Sequence, residues 1–506
     1  MINNIIDFLK KSSKNFPDKV AIVEPFTTSL ALNKKNKITY SKLDEYTDKL
    51  ASHIIKTIDN LNEQFPILII LPKGIDCLIS FFAVAKSGNF YTLLSEDTPK
   101  ERLDKIISKL EPKIIITNKN TQLNYNIHTV FIEDIDNFST DYDLLKQKYN
   151  EHIDNNLLYV LFTSGSTGEP KGVCISHKGV IDYALAICET FKFNSDFILA
   201  NQTPFYFDAS IKDIFPTIAV GATLHIIPNS AYAFPIKIIK YLEEMKINTI
   251  IWVPTVLTYF SNFKDFDKLE LNELKRVYWS GEIMPTKTFN KWRKQFPNIE
   301  YANLYGPTEI TDTCSYYIFE REILDNEIIP IGVGYKNTQL LVFDENMQLI
   351  TKNNIDIKGL LFVRGCGVSY GYYNDNKKTN NSFIQNPLHN NYQDLIYNTG
   401  DIVAYNKHGE LVCYGRVDNQ IKYKGHRIEL GEIENIINSH DLIKNVACIF
   451  KDEIICFYES EEEIDIKKYL VDKLPNYMIP TKIIRLDCFK LNQNGKIDRK
   501  YLKENY

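Results

Sequence analysis

No CxxC pair occurs in this chain and its histidines form no cluster at zinc-ligand spacing, so the common structural zinc sites are excluded. The nine cysteines (Cys77, Cys174, Cys188, Cys314, Cys366, Cys413, Cys448, Cys456 and Cys488) are scattered. They read as reduced, mostly buried thiols of a cytoplasmic protein. No apolar run approaches the ~20 residues of a membrane-spanning helix, so no membrane span is expected. Positive charge is not in excess: the net charge is -5, which argues against a nucleic-acid partner. The opening stretch MINNIIDFLKKSSKNF is too amphipathic and too charged for a signal peptide. Internal repeats and low-complexity linkers are also lacking. What remains is ordinary globular material, 44% hydrophobic and 24% charged. At 506 residues the chain exceeds the size at which single cores stop growing, about 250–300 residues, so a large domain plus a smaller one is expected.

One stretch stands out, LYVLFTSGSTGEPKGVCIS over residues 158–176. It opens as an apolar run of strand length and then breaks into Thr163, Ser164, Gly165, Ser166, Thr167 and Gly168, followed by Pro170, Lys171 and Gly172. Glycine lets backbone N–H groups approach an anion closely. Successive amides make an anion-binding nest. The hydroxyls and the Lys171 ammonium add donors and charge, which together suit a polyphosphate. A Walker loop is excluded, because Gly-Lys-Ser/Thr is required and Lys171 follows Pro170 and precedes Gly172. A nucleophile elbow needs Gly-x-Ser-x-Gly, which Gly165-Ser166-Thr167-Gly168 does not satisfy. A solvated Gly/Ser turn is the competing reading.

Around this loop, strand-like and helix-like segments alternate. After a helix near the start that stops by Pro17, strands are predicted over 20–23 and 38–40. Ser41 is read as the cap of a helix whose apolar positions Leu43, Tyr46, Leu50, Ala51, Ile54 and Ile55 follow a 3.6-residue period. Further strands are predicted over 67–71, 113–117, 158–162, 197–200, 223–227, 249–253, 276–279 and 300–304. Helices are predicted over 75–87, 101–110, 235–245 and 287–296. Such alternation predicts an α/β fold of mostly parallel, helix-covered sheets. Several of its strands end in polar loops that converge on one site. From about residue 330, shorter runs between Gly and Asn turns predict a β-rich subdomain, with strands over 339–343, 359–363 and 410–414. From Asp418 an α+β unit of ~90 residues is expected, large enough to fold separately. The domain reading is 1–416 for the core and 418–506 for a small C-terminal domain.

The segments TSGSTGEPKG, NLYGPTE, YNTGD, GRVDNQIKYKGHRIELGEIE and NGKIDRKYL occur in this order. On them the chain resembles the adenylate-forming superfamily. The pattern is most similar to non-ribosomal peptide synthetase adenylation domains and D-alanine–carrier-protein ligases. The resemblance implies ATP and Mg²⁺ as cofactors and a two-step ligase reaction. A carboxylate attacks the α-phosphorus of ATP, and a thiol then takes the acyl group. No Ser-His-Asp set is evident, and none is needed, because the carboxylate is already a nucleophile. At ~4 Å and an effective dielectric of ~20, two unit charges repel by ~4 kcal/mol. Placement and neutralisation therefore carry the catalysis.

By the same resemblance, Lys496 bridges carboxylate and α-phosphate. In isolation it reads as an exposed lysine after the Asn494-Gly495 turn. Thr308 and Glu309 join it as catalytic candidates, with Glu309 as the Mg²⁺ ligand. Thr163, Ser164, Ser166, Thr167 and Lys171 hold phosphates, with Gly165 and Gly168 shaping the loop. Asn303 and Tyr305 meet the adenine, and Gly306 is a further ATP-binding candidate. Asp401 binds the ribose hydroxyls, with Arg416 nearby. The family's usual aromatic three residues before this arginine is Cys413 here, a departure at the ribose contact. Asp418 is the hinge of a mobile C-terminal domain, and Gly425 permits approach of a pantetheine arm.

Asp208 corresponds to the aspartate that pairs with the α-ammonium in amino-acid-activating members. As a plain reading it caps the following helix. Further pocket candidates are Ala209, Lys212, Ile251, Tyr278, Ser280, Leu304, Asp312 and Thr313. Lys212 lies on the same helical face as Asp208. It either reads an acidic substrate side chain or pairs with Asp312 and closes a small pocket. Ser280 stands where D-alanine ligases have cysteine. The chain ends at Tyr506, just past the Lys496 motif. A stand-alone ligase is therefore expected, acting on a small amino acid and loading a separate phosphopantetheinyl carrier protein. Coenzyme A as acceptor and a catalytically silent nucleotide-binding regulator are the alternatives.

Overall fold

The computed structural model describes residues 2–25, 35–58, 63–165, 169–418, 420–490 and 497–506. It divides into two compact units. The first comprises Met1–Glu96, Pro112–Leu161 and Val173–Gly415. The second comprises Asp97–Glu111, Phe162–Gly172 and Arg416–Tyr506.

The predicted α/β character holds. Among the described residues, a nine-stranded sheet runs in the order Val333–Gly334, Ser315–Ile318, Glu300–Tyr305, Arg276–Trp279, Thr249–Trp252, Ile198–Asn201, Thr223–Ile226, Val20–Pro25, Lys35–Thr39. Pairing is parallel from Glu300–Tyr305 through to Val20–Pro25 and antiparallel at both edges. A second sheet pairs Pro66–Ile70 with Phe90–Leu94 and Ile114–Thr117, all parallel. Both sheets feed one apolar core, with Ile22, Leu199 and Leu224 from the first and Ile67, Ile69 and Leu93 from the second. Helix Ile75–Lys86 is buried from Cys77 onward. Its sequence is apolar on all sides, as a helix with no water-facing stripe must be. The β-rich subdomain also appears, as an antiparallel sheet in which Gly359–Gly365 lies between Thr338–Phe343 and Leu395–Tyr405.

Two local expectations need correction. Tyr40 ends no strand: it opens helix Tyr40–Thr57, and Thr39 caps that helix by accepting the Lys42 N–H at 3.3 Å, so Ser41 lies inside it. The reason is tertiary. Tyr40 is fully buried and its hydroxyl donates to the Ala222 carbonyl at 2.6 Å, which sets the helix start. Asp208 does not cap the following α-helix either. It opens the short 3-10 turn Asp208–Ser210, and Ile211–Val220 starts after Ser210 without a side-chain cap.

The second unit holds helix Lys100–Leu110, the loop after Leu157–Thr163, the hairpin Gln420–Tyr423/His426–Glu429 and a three-stranded sheet. Ile433 and Ile437 of helix Leu430–Asn438 pack with Val446, Ile454 and Leu470 to form a separate core. Among the described residues no helix is long and apolar enough to cross a membrane.

In the first unit, helix Ile211–Val220 is tied to a strand end by Asn201, whose Nδ2 donates to Asp213 Oδ2 at 2.7 Å. Burial pushes the Asp213 carboxyl up to about 7, against the pull of Lys212. A raised carboxyl pKa stabilises the fold at low pH, and that contribution is lost as pH climbs from the unfolded value, ~3.9, through the folded one. Asp213→Asn keeps an acceptor for Asn201 and removes this titration. The variant's gain in stability over the parent should be larger at pH 8 than at pH 5, by on the order of 2 kcal/mol. Thermal unfolding of both proteins at the two pH values measures it, and equal differences would contradict it.

Candidate active site

The first unit's site is built at the carboxyl ends of parallel strands. Register places Ile251 beside Tyr278, Tyr278 beside Ala302, and Trp279 beside Asn303. Leu304, Tyr305 and Ser280 follow at the same edge. Ile251, Tyr278 and Leu304 are each at most 2% exposed, so they form walls rather than a polar surface. The Ser280 hydroxyl is buried and has no hydrogen-bond partner among the described residues.

Asp312 and Thr313 reach this edge through unusual backbone. Thr311 and Asp312 have φ of 60° and 71°, left-handed values that cost non-glycine residues roughly 1–3 kcal/mol each. Gly306 makes room for them: a Cβ there would stand 2.3 Å from the Asp312 carbonyl and 2.5 Å from Thr313 Cα. The Thr311 hydroxyl donates to the Gly367 carbonyl at 2.8 Å. Asp312 accepts from the Tyr183 hydroxyl at 3.0 Å and lies 3.6 Å from the Lys212 ammonium. Lys212, 1% exposed, also donates to the Ala209 carbonyl at 2.5 Å. Lys212 thus pairs with Asp312 in this structure. Burial pushes the Asp312 carboxyl up to about 6, with Lys212 pulling it down and Asp208 adding to the rise. Half-buried Asp208 accepts the Ala209 N–H at 2.9 Å.

Tyr183 was not among the sequence candidates. It lies in helix His177–Thr190, 129 residues from Asp312, and carries no local signal. Tyr372 was missed too: its hydroxyl donates to Glu309 Oε1 at 2.8 Å. Glu309 is fully buried and Thr308 is 6% exposed. Tyr305 donates its hydroxyl to Asp401, bringing two candidates into direct contact. Burial and the Asp401 charge push that phenol well up. Asn303 Nδ2 donates to the Pro330 carbonyl at 2.7 Å.

The second unit carries the loop. Ser164 and Lys171 are 3% and 8% exposed. The Thr163 hydroxyl is buried and has no hydrogen-bond partner among the described residues. Gly165 is packed so closely that a Cβ would stand 2.1 Å from the Glu169 carbonyl. Lys171 lies 3.4 Å from Glu429. Arg416 pairs with Asp418 at 2.8 Å, and Gly425 takes a left-handed φ of 79° at the hairpin turn. Ser166, Thr167, Gly168 and Lys496 lie outside the described residues.

The donor sets fit a nucleotide and a hard cation. Backbone N–H, hydroxyl and ammonium groups of the loop suit phosphate oxygens, and the Thr163 hydroxyl, unpartnered among the described residues, is one such donor. Among the described residues no group of three or more His, Cys, Asp or Glu could hold a metal alone. A single buried carboxylate such as Glu309 suits Mg²⁺, which binds through one or two carboxylates plus phosphate oxygens.

A family model described as "AMP-binding enzyme" matches residues 9–373. The chain is 33% identical over 506 residues to zwittermicin A synthase ZmaJ of Bacillus cereus, covering 96% of this chain and 92% of that protein. It is 29% identical over 501 residues to gramicidin S synthase 1 of Brevibacillus brevis, covering 96% of this chain and 43% of the synthase. The chain thus spans less than half of that relative. Among solved structures, holo-PA1221, an NRPS protein containing adenylation and PCP domains, aligns with a TM-score of 0.84 at 20% identity, over 99% of this chain and 84% of that one. That last likeness is one of fold. With the family match extending over most of its length and ZmaJ aligned nearly end to end, the chain belongs to the AMP-binding enzyme family, as an adenylate-forming ligase of the type found in non-ribosomal peptide synthetases.

Proposed function

We propose that this enzyme activates a small, uncharged amino acid as its adenylate and passes it to the phosphopantetheine thiol of a separate carrier protein. The observation that carries the reading is the Lys212–Asp312 pair in a pocket that also holds Asp208. An acidic substrate side chain would have to draw Lys212 away from Asp312. Breaking a buried pair leaves an uncompensated charge, at a cost of ~3–5 kcal/mol. A neutral side chain leaves the pair intact. Asp208 is then the carboxylate assigned to the substrate's α-ammonium, a group that fatty and aryl acids lack.

In the first half-reaction a substrate carboxylate oxygen bonds to the α-phosphorus of ATP while the bond to the β-phosphate oxygen breaks, releasing pyrophosphate. In the second, the thiol sulfur bonds to the acyl carbon and AMP leaves. Thr163, Ser164, Ser166, Thr167 and Lys171 are assigned to the phosphates, with Gly165 and Gly168 shaping their loop. Asn303 and Tyr305 are assigned to adenine, Gly306 to the nucleotide site, and Asp401 and Arg416 to ribose. The Tyr372 hydroxyl orients Glu309, and Mg²⁺, when held there, neutralises phosphate charge. Lys496 supplies the positive charge that lets two anions meet. Residues 418–506 act as a mobile lid hinged at Asp418, which brings Lys496 to the first step and the Gly425 turn to the second.

Asp208→Asn removes the counter-charge with little change in shape. Trapping of the aminoacyl-adenylate with hydroxylamine should show the amino-acid KM rising ~100-fold, with the ATP KM within ~3-fold of the parent. An unchanged amino-acid KM would contradict the assignment. Lys496→Ala should lower adenylate formation at least ~100-fold while nucleotide binding persists. Retained activity would contradict that role.

A further inference from the structure

Asp312 is held by two helices that pack on one another. Lys212 approaches it from helix Ile211–Val220 at 3.6 Å, and Tyr183 from helix His177–Thr190 at 3.0 Å. The Tyr183 oxygen also lies 3.0 Å from the Thr313 hydroxyl. A phenol has one proton to give. Spent on the Asp312 carboxylate, it leaves the Thr313 hydroxyl to donate to the phenol oxygen. A chain of hydrogen bonds therefore runs from Thr313 through Tyr183 to Asp312. All four residues are at most 4% exposed.

Burial disfavours an ionised Asp312, and an ionised Asp312 is what neutralises Lys212. The groups that face the carboxylate act in opposite directions. Asp208, in the turn before helix Ile211–Val220, adds to the rise that burial causes. Lys212 and the Tyr183 hydrogen bond oppose it. Asp213, Tyr159 and Tyr335 also sense the Asp312 charge. The balance leaves Asp312 at about 6. A hydrogen bond to a charged acceptor moves a carboxyl by ~1–2 pH units, so one hydroxyl decides whether the pair is charged at neutral pH.

We propose that Tyr183 is a positioning residue for substrate selection: by donating to Asp312 it keeps the Lys212–Asp312 pair closed, and the pocket thereby rejects amino acids with an acidic side chain. This rests on the reading of the pocket as one for a small, uncharged amino acid. Tyr183 acts through Asp312 and does not itself meet the substrate.

The test is ATP–pyrophosphate exchange by the full-length protein and by Tyr183→Phe between pH 5 and 8, with glycine, alanine, serine, aspartate and glutamate as probes. In the parent, kcat/KM for the preferred neutral amino acid should fall as pH drops through about 6, where Asp312 takes up its proton. Its preference over glutamate should narrow in the same range. In Tyr183→Phe the midpoint should rise by ~1 pH unit, and at pH 7 the preference should fall ~10-fold while the ATP KM stays within ~3-fold. Tyr301→Phe is the control. It removes another buried hydroxyl, one that bonds to the Trp292 and Phe296 carbonyls in a separate apolar cluster, and should move neither quantity. Should Tyr183→Phe fail to fold, 3-fluorotyrosine at position 183 keeps the shape and donates more strongly, and the midpoint should then move down. An unmoved midpoint would overturn the proposal, as would a midpoint that moves in Tyr183→Phe without the preference. A parent that responds to no neutral amino acid, or that prefers aspartate or glutamate, would overturn the pocket reading itself.

Discussion

Lys212 places a full positive charge on a helix packed against the nine-stranded sheet, where water is excluded. An unpaired ammonium there would cost several kcal/mol or lose its proton. Asp312 supplies the counter-charge, and much of the local geometry follows from bringing it there. Two successive left-handed residues turn the chain back, Gly306 gives up its side chain to let that turn approach, and Tyr183 reaches from a distant helix to hold the carboxylate. Local packing and backbone strain are thus tied to one ion pair.

The same accounting governs the second unit. Arg102 and Glu432 are buried together, and the carboxylate's second oxygen is met by a backbone N–H. A buried pair of this kind is weak evidence for stability, because desolvation offsets most of the attraction.

Much of the fold was legible because its signals are local. The strand over 276–279 coincides with Arg276–Trp279, and the strand over 300–304 with Glu300–Tyr305. What was not legible depends on distance along the chain. Thr39 rather than Ser41 caps its helix because Tyr40 is anchored to Ala222, 182 residues away. Tyr183 is an ordinary helical tyrosine until Asp312 arrives. The Arg102–Glu432 pair spans 330 residues: Glu432 lies in the GRVDNQIKYKGHRIELGEIE segment, but nothing local names Arg102 as its partner. Motif order marked the family, which the AMP-binding match bears out. The contacts that position the site come from tertiary packing, which no local pattern records.

The central claim is that the buried charges define a pocket for a small, neutral amino acid. ATP–pyrophosphate exchange by the unmodified enzyme tests it most directly, across L- and D-amino acids with fatty and aryl acids as controls. The account predicts exchange driven by one or a few small uncharged amino acids, with aspartate, glutamate and the control acids inactive. Exchange driven by acidic amino acids, or by fatty or aryl acids alone, would contradict it.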